Sequence, residues 1–407
     1  MTDPGMQKKI REYILTGVDD REFSAHSDPF WSKLRDSGTA IWLDTGDIEE
    51  AEEVWTSEMD ALTTNNTLIN KVIQKGIYDD YISRTRELVS SLDFNTQVKE
   101  IALILNARHG LRLVKRFGGY VSVELHTDTA HDIDAIVSYG MRYHEINPDR
   151  FIIKVPLTSS GLIGARKLKE KGVKINFTLG FSARQNALTV HVARPDYLNV
   201  FMGRIGAYIA NNNLGDGDWT GEKTVIETQR IITRVREANG FNTRLIAASL
   251  RHHVQLEYLA GTDVLTIPPK VASSGRLKLS GNFESKVDQD YSPVTKDDMV
   301  TSGIIKFWKV PGELMKLSED IGSNLPGTGE ELERKMVNAG YADMFPSLSN
   351  KDLENIMNAG KIPVHATWAD LIRNNFLAPD TLLNLAGLAS FTADQGELDG
   401  RIKSTIG

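Results

Sequence analysis

The sequence predicts an α/β protein built on a (β/α)8 TIM barrel, with a helical insertion near the C-terminus. From about Thr39 onward, short apolar runs alternate with longer amphipathic runs, which is the pattern of β-α units around a parallel sheet. Eight of the apolar runs are predicted to be strands, and that number favours a closed barrel over an open sheet. Polar residues stand at or near the ends of most of these runs, where such barrels carry their chemistry.

The eight predicted strands are residues 40–44, 59–64, 120–126, 151–155, 174–179, 197–202, 245–249 and 264–268. Helices are predicted between them, at 129–146, 161–171, 222–239 and 252–260 among others, and several end at a glycine as helices prefer. The tract 68–117 is expected to hold at least two helices, and 275–292 is predicted to be a polar loop.

Composition and charge exclude several classes of function. With 41% hydrophobic and 25% charged residues, the chain has the composition of a globular protein, and it has no apolar run long enough to span a bilayer. Its first residues lack the apolar core of a secretory signal, so we expect a cytoplasmic protein. The chain has no cysteine, which excludes disulfides and thiolate metal sites. A net charge of -7 argues against a general nucleic-acid binder.

The C-terminal part of the chain departs from the strand-helix pattern. Short helices are predicted at 314–321, 329–339, 351–359, 368–375 and 379–391. We predict a barrel domain over 1–305, a helical insertion over 306–364, and C-terminal helices over 365–407 that pack on the barrel. The insertion carries aromatic residues that we expect to be exposed, namely Phe307, Trp308, Tyr341 and Phe345. It could cover the barrel mouth, form a homo-oligomer contact or pack on the side.

One predicted strand carries a single lysine within an apolar run. Alternation along Phe151–Pro156 places Lys154 on the same face as Ile152. An ammonium there is costly unless it finds partners or loses its proton, and a neutral lysine amine can attack a ketone to form a Schiff base. The alternative is a lysine at a strand end, with its stem packed and its head in water.

Seven stretches, in consecutive order along the predicted barrel, resemble the transaldolase family. They are Leu43-Asp44-Thr45-Gly46-Asp47, Thr63-Thr64-Asn65, Val121-Ser122-Val123-Glu124, Ile153-Lys154-Val155-Pro156, Asn176-Phe177-Thr178-Leu179, Phe201-Met202-Gly203-Arg204-Ile205 and Ala248-Ser249-Leu250-Arg251. The resemblance resumes over 366–402, so residues from about 306 to 364 read as an insertion.

The resemblance implies covalent catalysis that needs no cofactor and no metal ion. Lys154 would be the Schiff-base lysine, and Asp44 the general acid and base on the C4 hydroxyl of the substrate. Glu124 and Thr178 would hold a water molecule that shuttles protons. From the residues alone, Asp44 could instead cap the next helix, although Asp47 is better placed for that role. Glu124 could form a direct ion pair with Lys154, but a water between them fits the chemistry better.

The resemblance also implies a set of substrate-binding residues: Asn65, Asn176, Asn199, Phe201, Arg204, Ser249 and Arg251. Asn65 and Asn176 would hydrogen-bond the hydroxyls of a dihydroxyacetone unit, although backbone capping is an equal alternative. Arg204 and Arg251 would bind a phosphate, and their alternative is a structural salt bridge. Phe201 would line the pocket, or lie in the core.

Three positions depart from the family pattern. Asn199 stands where the family has a serine; its amide could still donate to phosphate, with a change in pocket size. Asn66 replaces the proline that follows Thr-Thr-Asn, and one extra residue lies between Asp60 and Thr63.

The resemblance implies transfer of a dihydroxyacetone unit between sugar phosphates in the pentose phosphate pathway. The donors would be fructose 6-phosphate or sedoheptulose 7-phosphate, and the acceptors erythrose 4-phosphate or glyceraldehyde 3-phosphate. Two alternatives remain open: a fructose-6-phosphate-type aldolase of the same superfamily, and a non-catalytic sugar-phosphate binding protein.

Overall fold

The structure is a computed structural model that describes residues 3–18, 22–296 and 298–407. Residues 1 and 2 lie outside the described residues. They belong to the predicted barrel domain and to the first residues of the chain, which lack the apolar core of a secretory signal. Within the described ranges, no helix is both long enough and apolar enough to cross a membrane.

A closed barrel of eight parallel strands forms the centre of the described residues, which confirms the predicted fold class. Each strand pairs with the next along the chain, and the last pairs with the first. The strands are β1 Ala40–Asp44, β2 Met59–Thr63, β3 Tyr120–Glu124, β4 Phe151–Pro156, β5 Ile175–Thr178, β6 Tyr197–Phe201, β7 Arg244–Ala248 and β8 Val264–Ile267. All eight predicted strands are therefore present, with small differences at their ends. Their Val, Ile and Leu side chains fill both faces of the sheet, as expected of strands covered by helices.

Helices precede, separate and surround these strands. They are α1 Pro4–Leu15, α2 Pro29–Asp36, α3 Ile48–Glu52, α4 Asn66–Gln74, α5 Asp79–Val89, α6 Phe94–Phe117, α7 Ile133–Ile146, α8 Ser159–Glu170, α9 Ala183–Val192, α10 Met202–Asn211, α11 Thr220–Asn239, α12 Gln255–Tyr258 and α13 Pro269–Lys278. The tract that was expected to hold at least two helices holds α4, α5 and α6.

Local capping and burial explain where these bounds differ from the prediction. Helix α7 begins at Ile133 rather than at residue 129, because the Asp132 carboxylate accepts a hydrogen bond from the Ala135 N–H and caps the helix there. Helix α13 runs into the predicted loop 275–292, since Val271, Ala272 and Gly275 are buried along one side of it. Helix α12 is shorter than the predicted 252–260.

The C-terminal part is helical, as predicted. A 3-10 helix, Ile304–Phe307, is followed by α14 Gly312–Ser323, α15 Gly329–Asn338, a second 3-10 helix Ala342–Met344, α16 Asn350–Asn358, α17 His365–Arg373 and α18 Pro379–Ile406. Helix α18 is longer than the predicted 379–391, because Leu398, Ile402 and Ile406 continue its buried side at steps of four residues. The division into three domains stays a prediction.

Two helices of the segment 306–364, called the insertion below, pack on the side of the barrel. Helix α14 lies on α9, α15 lies on α8, and α16 contacts α18. The expectation that Phe307 is exposed is wrong: the ring is fully buried, with its centroid 6.4 Å from that of Tyr208. Trp308, Tyr341 and Phe345 are partly buried against the core.

A buried charge network fastens the insertion to the barrel. The Arg184 guanidinium on α9 donates from Nη1 to Asp343 at 2.8 Å, and from Nε and Nη2 to the two carboxylate oxygens of Asp380 at 2.8 and 2.9 Å. Lys306 also donates to Asp343, at 2.9 Å. The network thus joins α9, the insertion and α18.

The strand register aligns the polar residues of neighbouring strands. Glu124 on β3 pairs with Lys154 on β4, and Lys154 pairs with Asn176 on β5. Asp44 on β1 pairs with Thr63 on β2. Asp44, Thr63 and Glu124 are the last residues of their strands, at the end where parallel barrels place their sites, whereas Lys154 and Asn176 lie within theirs.

Candidate active site

A cavity of about 250 Å³ opens at the C-terminal ends of the strands. Eight of the predicted site residues line it: Asp44, Asn65, Lys154, Asn199, Phe201, Arg204, Ser249 and Arg251. The other three, Glu124, Asn176 and Thr178, are buried and do not line the cavity. Its size suits a small polar metabolite better than a dinucleotide.

Lys154 lies inside the barrel rather than at its surface. Its side chain is 4% exposed, and its Nζ donates to the backbone carbonyl of Thr64 at 3.1 Å. The same Nζ lies 3.5 Å from Glu124 Oε2 and 5.8 Å from the centroid of the Phe391 ring. The alternative of a lysine with its head in water therefore does not hold. Lys154 and Glu124 thus lie within ion-pair distance of each other, and a water molecule held by Glu124 and Thr178 stays a prediction.

Burial raises the pKa of Glu124, although the charge of Lys154 and a hydrogen bond to it act in the opposite direction. The carboxyl is 3% exposed and contacts Lys154 without lining the cavity. Thr178 lies two strands along, fully buried, and its hydroxyl has no hydrogen-bond partner within the described part of the chain. A carboxyl group with a raised pKa in contact with Lys154 is suited to proton transfer there, and the role of Thr178 stays a prediction.

Asp44 ends β1 and faces the cavity. The Thr63 hydroxyl contacts Asp44 Oδ1 at 3.0 Å and Thr266 Oγ1 at 2.6 Å, so three strands hold the carboxylate in place. Burial raises the pKa of Asp44, while Lys154 and Thr63 oppose that rise. Asp47, not Asp44, caps α3 by accepting hydrogen bonds from the first turn of that helix.

A chain of amides runs across the barrel beside Lys154. Asn199 Nδ2 donates to Asn176 Oδ1 and to the Phe177 carbonyl, both at 2.7 Å, and Asn176 Nδ2 donates to Ser122 Oγ at 2.9 Å. Both hydrogens of the Asn199 amide are therefore engaged within the protein. The arrangement fits a residue that orients Asn176 better than one that donates to a phosphate.

Asn65 caps a helix and also lies at the cavity. Its Oδ1 accepts a hydrogen bond from the Leu68 N–H and caps α4, and the residue also lines the cavity. Capping uses the carbonyl oxygen of the side chain, which leaves the amide nitrogen for a ligand.

Two arginines, Arg204 and Arg251, also line the cavity. Arg204 lies in the first turn of α10, whose N-terminus has no side-chain cap, and free backbone N–H groups there favour an anion. Burial and the charge of Arg251 lower the pKa of Arg204 to about 10, and its Nη1 has no hydrogen-bond partner within the described part of the chain. A buried guanidinium of this kind, with a second arginine nearby, is suited to a phosphate dianion.

The backbone around these arginines is closely packed. Ser249 has φ +65°, which is rare for a residue other than glycine. A Cβ on Gly203 would lie 2.0 Å from the Ser249 carbonyl oxygen and 2.8 Å from Arg251 Cγ. Glycine at position 203 thus lets the loop after β7 approach α10 and brings Arg251 to the cavity.

Sequence reasoning missed several lining residues: Thr63, Thr67, Leu68, Thr266, Lys361 and Phe391. Thr63 belongs to a stretch that was noted for its resemblance, and Thr266 is the polar residue near the end of β8. Phe391 packs on both Lys154 and Arg204, with its centroid 5.7 Å from Arg204 Cζ. Lys361 belongs to the insertion, and no pattern in the sequence connects it with the barrel.

Nothing in the described ranges resembles a metal centre. Among residues 3–18, 22–296 and 298–407, no three histidine, aspartate or glutamate side chains come together as they would around a metal ion.

Comparisons with known proteins show which family the chain resembles in sequence. Residues 41–303 match a family model described as "Transaldolase/Fructose-6-phosphate aldolase". A protein of Xanthomonas oryzae pv. oryzae (strain PXO99A) named "Transaldolase" is 30% identical over 325 residues, which cover 73% of this chain and 98% of that protein. Its counterpart in Xanthomonas campestris pv. campestris (strain B100) is 29% identical with the same coverage. A "Probable transaldolase" of Thermus thermophilus is 30% identical over 57% of this chain and 87% of its own length.

Proposed function

Since the chain belongs to the transaldolase/fructose-6-phosphate aldolase family, we propose that it is a transaldolase. The proposed reaction moves a dihydroxyacetone unit from a ketose phosphate to an aldose phosphate through a Schiff base on Lys154. Fructose 6-phosphate and sedoheptulose 7-phosphate are the proposed donors, with erythrose 4-phosphate and glyceraldehyde 3-phosphate as acceptors. The proposed setting is the pentose phosphate pathway of the cytoplasm.

The observation that carries the proposal is the position of Lys154. Its amine is buried in a polar cavity, 3.5 Å from Glu124 and in the same cavity as Asp44. A lysine that only stabilised the fold would not need a cavity in front of its nitrogen. This arrangement also speaks against a non-catalytic sugar-phosphate binding protein.

In the first half of the proposed reaction, Lys154 Nζ attacks C2 of the ketose and forms a carbinolamine. For this attack the Lys154 ammonium first gives one proton to Glu124; a proton then passes from the nitrogen to the C2 oxygen, and Glu124 returns its proton to that oxygen, so that water leaves and a protonated imine remains. Glu124 is the group that contacts Nζ, and the Thr178 hydroxyl can assist it. A carboxyl with a raised pKa can both give and take a proton in these steps.

In the second half, Asp44 takes the proton of the C4 hydroxyl. The electrons of the C3-C4 bond move into the imine, which becomes an enamine, and the aldose phosphate leaves. An acceptor aldehyde then reacts with the enamine, Asp44 returns the proton, and water adds to the resulting imine to release the product ketose and the free Lys154 amine. The Thr63 hydroxyl and the charge of Lys154 help to keep Asp44 ionised for its first task.

The phosphate of the substrate is assigned to the arginine end of the cavity. Arg204 and Arg251 lie there beside the uncapped start of α10. The dihydroxyacetone end then falls near Lys154, Asn65 and the Asn199-Asn176 pair. Phe201 lines the cavity, and its ring centroid lies 5.7 Å from that of Phe181.

Borohydride reduction in the presence of labelled fructose 6-phosphate tests the proposal. We expect a mass derived from dihydroxyacetone on the peptide that contains Lys154. The variant Lys154→Arg, which keeps the charge but cannot form the imine, should lose the label and the activity. Label on another peptide, or full activity of Lys154→Arg, would refute the assignment.

The second candidate is a fructose-6-phosphate aldolase, because the matched family includes that activity by its description. An aldolase would hydrolyse the enamine adduct and release dihydroxyacetone. Glu124 supports the transferase, since the aldolases that this chain resembles tend to carry an amide at that position. Product analysis with and without an acceptor separates the two, because release of dihydroxyacetone at the same rate without an acceptor would favour the aldolase.

A further inference from the structure

The insertion contributes a cation to the cavity. Lys361 follows α16 and lines the same cavity as Arg204 and Arg251, although the match to the family model ends at residue 303. We propose that Lys361 binds the phosphate group of the substrate, so that the insertion forms part of the substrate-binding site. This inference rests on the proposed function for the identity of the ligand as a sugar phosphate.

The path of the chain explains how Lys361 reaches the cavity. Helix α16 packs on α18, with Ile356 buried between them, and it ends just before Gly360. Gly360 has φ +71°, which turns the chain sharply at the helix end. Two residues of α18, Phe391 and Asp394, lie at or near the cavity, so the contact between α16 and α18 places Lys361 close to it.

The charges around Lys361 favour an anion. The positive charges of Arg204, Arg251 and Lys71 lower the pKa of Lys361. The carboxylate of Asp394 raises it. Asp394 is itself hydrogen-bonded by the Thr67 hydroxyl. The site therefore holds more positive than negative charge, which a phosphate dianion would balance.

A purely structural role for Lys361 finds little support. Within the described part of the chain, its ammonium makes no hydrogen bond and no ion pair, unlike Lys306 of the same insertion. Lys361 is exposed overall, but partial desolvation at the cavity, more than the neighbouring cations, lowers its pKa, and Asp394 opposes the shift. A lysine in this position gains a partner when a phosphate enters the cavity.

The test measures binding of inorganic phosphate to the full chain by titration calorimetry, which needs no turnover. We expect Lys361→Ala to weaken phosphate binding about five- to tenfold, and Lys361→Arg to restore most of it. The matched control is Lys351→Ala, which removes an exposed lysine from the first turn of α16 without touching the cavity. We expect the control to bind phosphate as the unchanged chain does.

A kinetic comparison locates the effect. In Lys361→Ala, the ratio of kcat/KM for fructose 6-phosphate to that for unphosphorylated fructose should fall by a similar factor. Equal phosphate affinity in Lys361→Ala and the unchanged chain, or an equal loss on both sugars, would overturn the inference. If phosphate binding depends on Lys361 while borohydride labels no Lys154, the proposed function fails and the phosphate site stands.

Discussion

The Thr63 hydroxyl lies 3.0 Å from Asp44 Oδ1 and 2.6 Å from the hydroxyl of Thr266. These contacts connect β2 with β1 and β8, so the carboxylate proposed as the acid and base has a fixed orientation. Burial raises the pKa of Asp44, and the hydrogen bond from the Thr63 hydroxyl lowers it. The setting of Asp44 thus determines the pH range in which it can accept a proton.

The first prediction concerns the acid limb of the pH profile. Asp44 must be ionised to take the C4 proton, and its pKa is raised above 3.8, so kcat/KM should fall with decreasing pH at a pH above that value. Thr63→Val removes a hydrogen bond that lowers this pKa, and the acid limb should therefore move to higher pH. The measurement is kcat/KM for the donor ketose across the acid range.

The control for this prediction is Thr64→Val. The Thr64 hydroxyl donates to the Ser122 carbonyl rather than to Asp44, so its loss should leave the acid limb in place. An acid limb that stays fixed in Thr63→Val would mean that another group, such as Glu124, controls it.

The second prediction concerns Glu124. Glu124→Gln keeps the shape of the side chain but cannot accept a proton, and we expect the rate of imine formation to fall by about 100-fold. The rate of borohydride trapping in a single turnover measures this step separately from cleavage of the C3-C4 bond. Because the amide leaves Lys154 buried without its carboxylate partner, the melting temperature should also fall, and trapping is therefore measured well below it. A trapping rate within twofold of the unchanged chain would contradict the role.

The strands and their polar ends were predictable because both signals are local. Strand β4 is a continuous apolar run, and Lys154 is conspicuous within it. Contacts between distant segments were not predictable in the same way. The direction of the Asn199 amide towards Asn176 depends on the register of β5 and β6, and Thr266 becomes meaningful only once β8 closes against β1.

The insertion shows the same limit. Its helices follow from their periodicity, but the burial of Phe307 depends on a partner, Tyr208, that lies about a hundred residues away in sequence. Lys361 lies at the cavity because α16 packs on α18. That contact has no signature in the residues around Lys361.

The third prediction separates the two ends of the cavity. Asn199→Ser shortens the side chain and removes the amide nitrogen that donates to both Asn176 and Phe177. We expect the donor KM to rise about tenfold, because Asn176 loses the group that orients it. The affinity for unphosphorylated dihydroxyacetone, measured by borohydride trapping of its imine on Lys154, should fall by a similar factor. The reason is that the substitution affects the part of the cavity that binds the dihydroxyacetone unit. A loss limited to phosphorylated substrates would instead assign Asn199 to phosphate binding.

The fourth prediction concerns the buried network that fastens the insertion. Arg184 is 4% exposed and is paired with both Asp343 and Asp380. Arg184→Met leaves Asp380 buried without its partner, which should lower the free energy of unfolding by about 3–5 kcal/mol. Arg373→Met is the control, because that arginine pairs with Asp370 at an exposed site, where such pairs contribute about 0–1 kcal/mol. Urea unfolding of both variants measures the difference, and equal losses would contradict it.

Asp343→Asn extends this prediction to the site. The Arg184-Asp380 pair remains in this variant, so the barrel should keep its hydrogen-exchange protection while residues 306–364 exchange faster. Because Lys361 is held by the same segment, affinity for inorganic phosphate should fall together with that protection. Faster exchange in the insertion with unchanged phosphate affinity would mean that the contact of α16 with α18 alone holds Lys361 at the cavity.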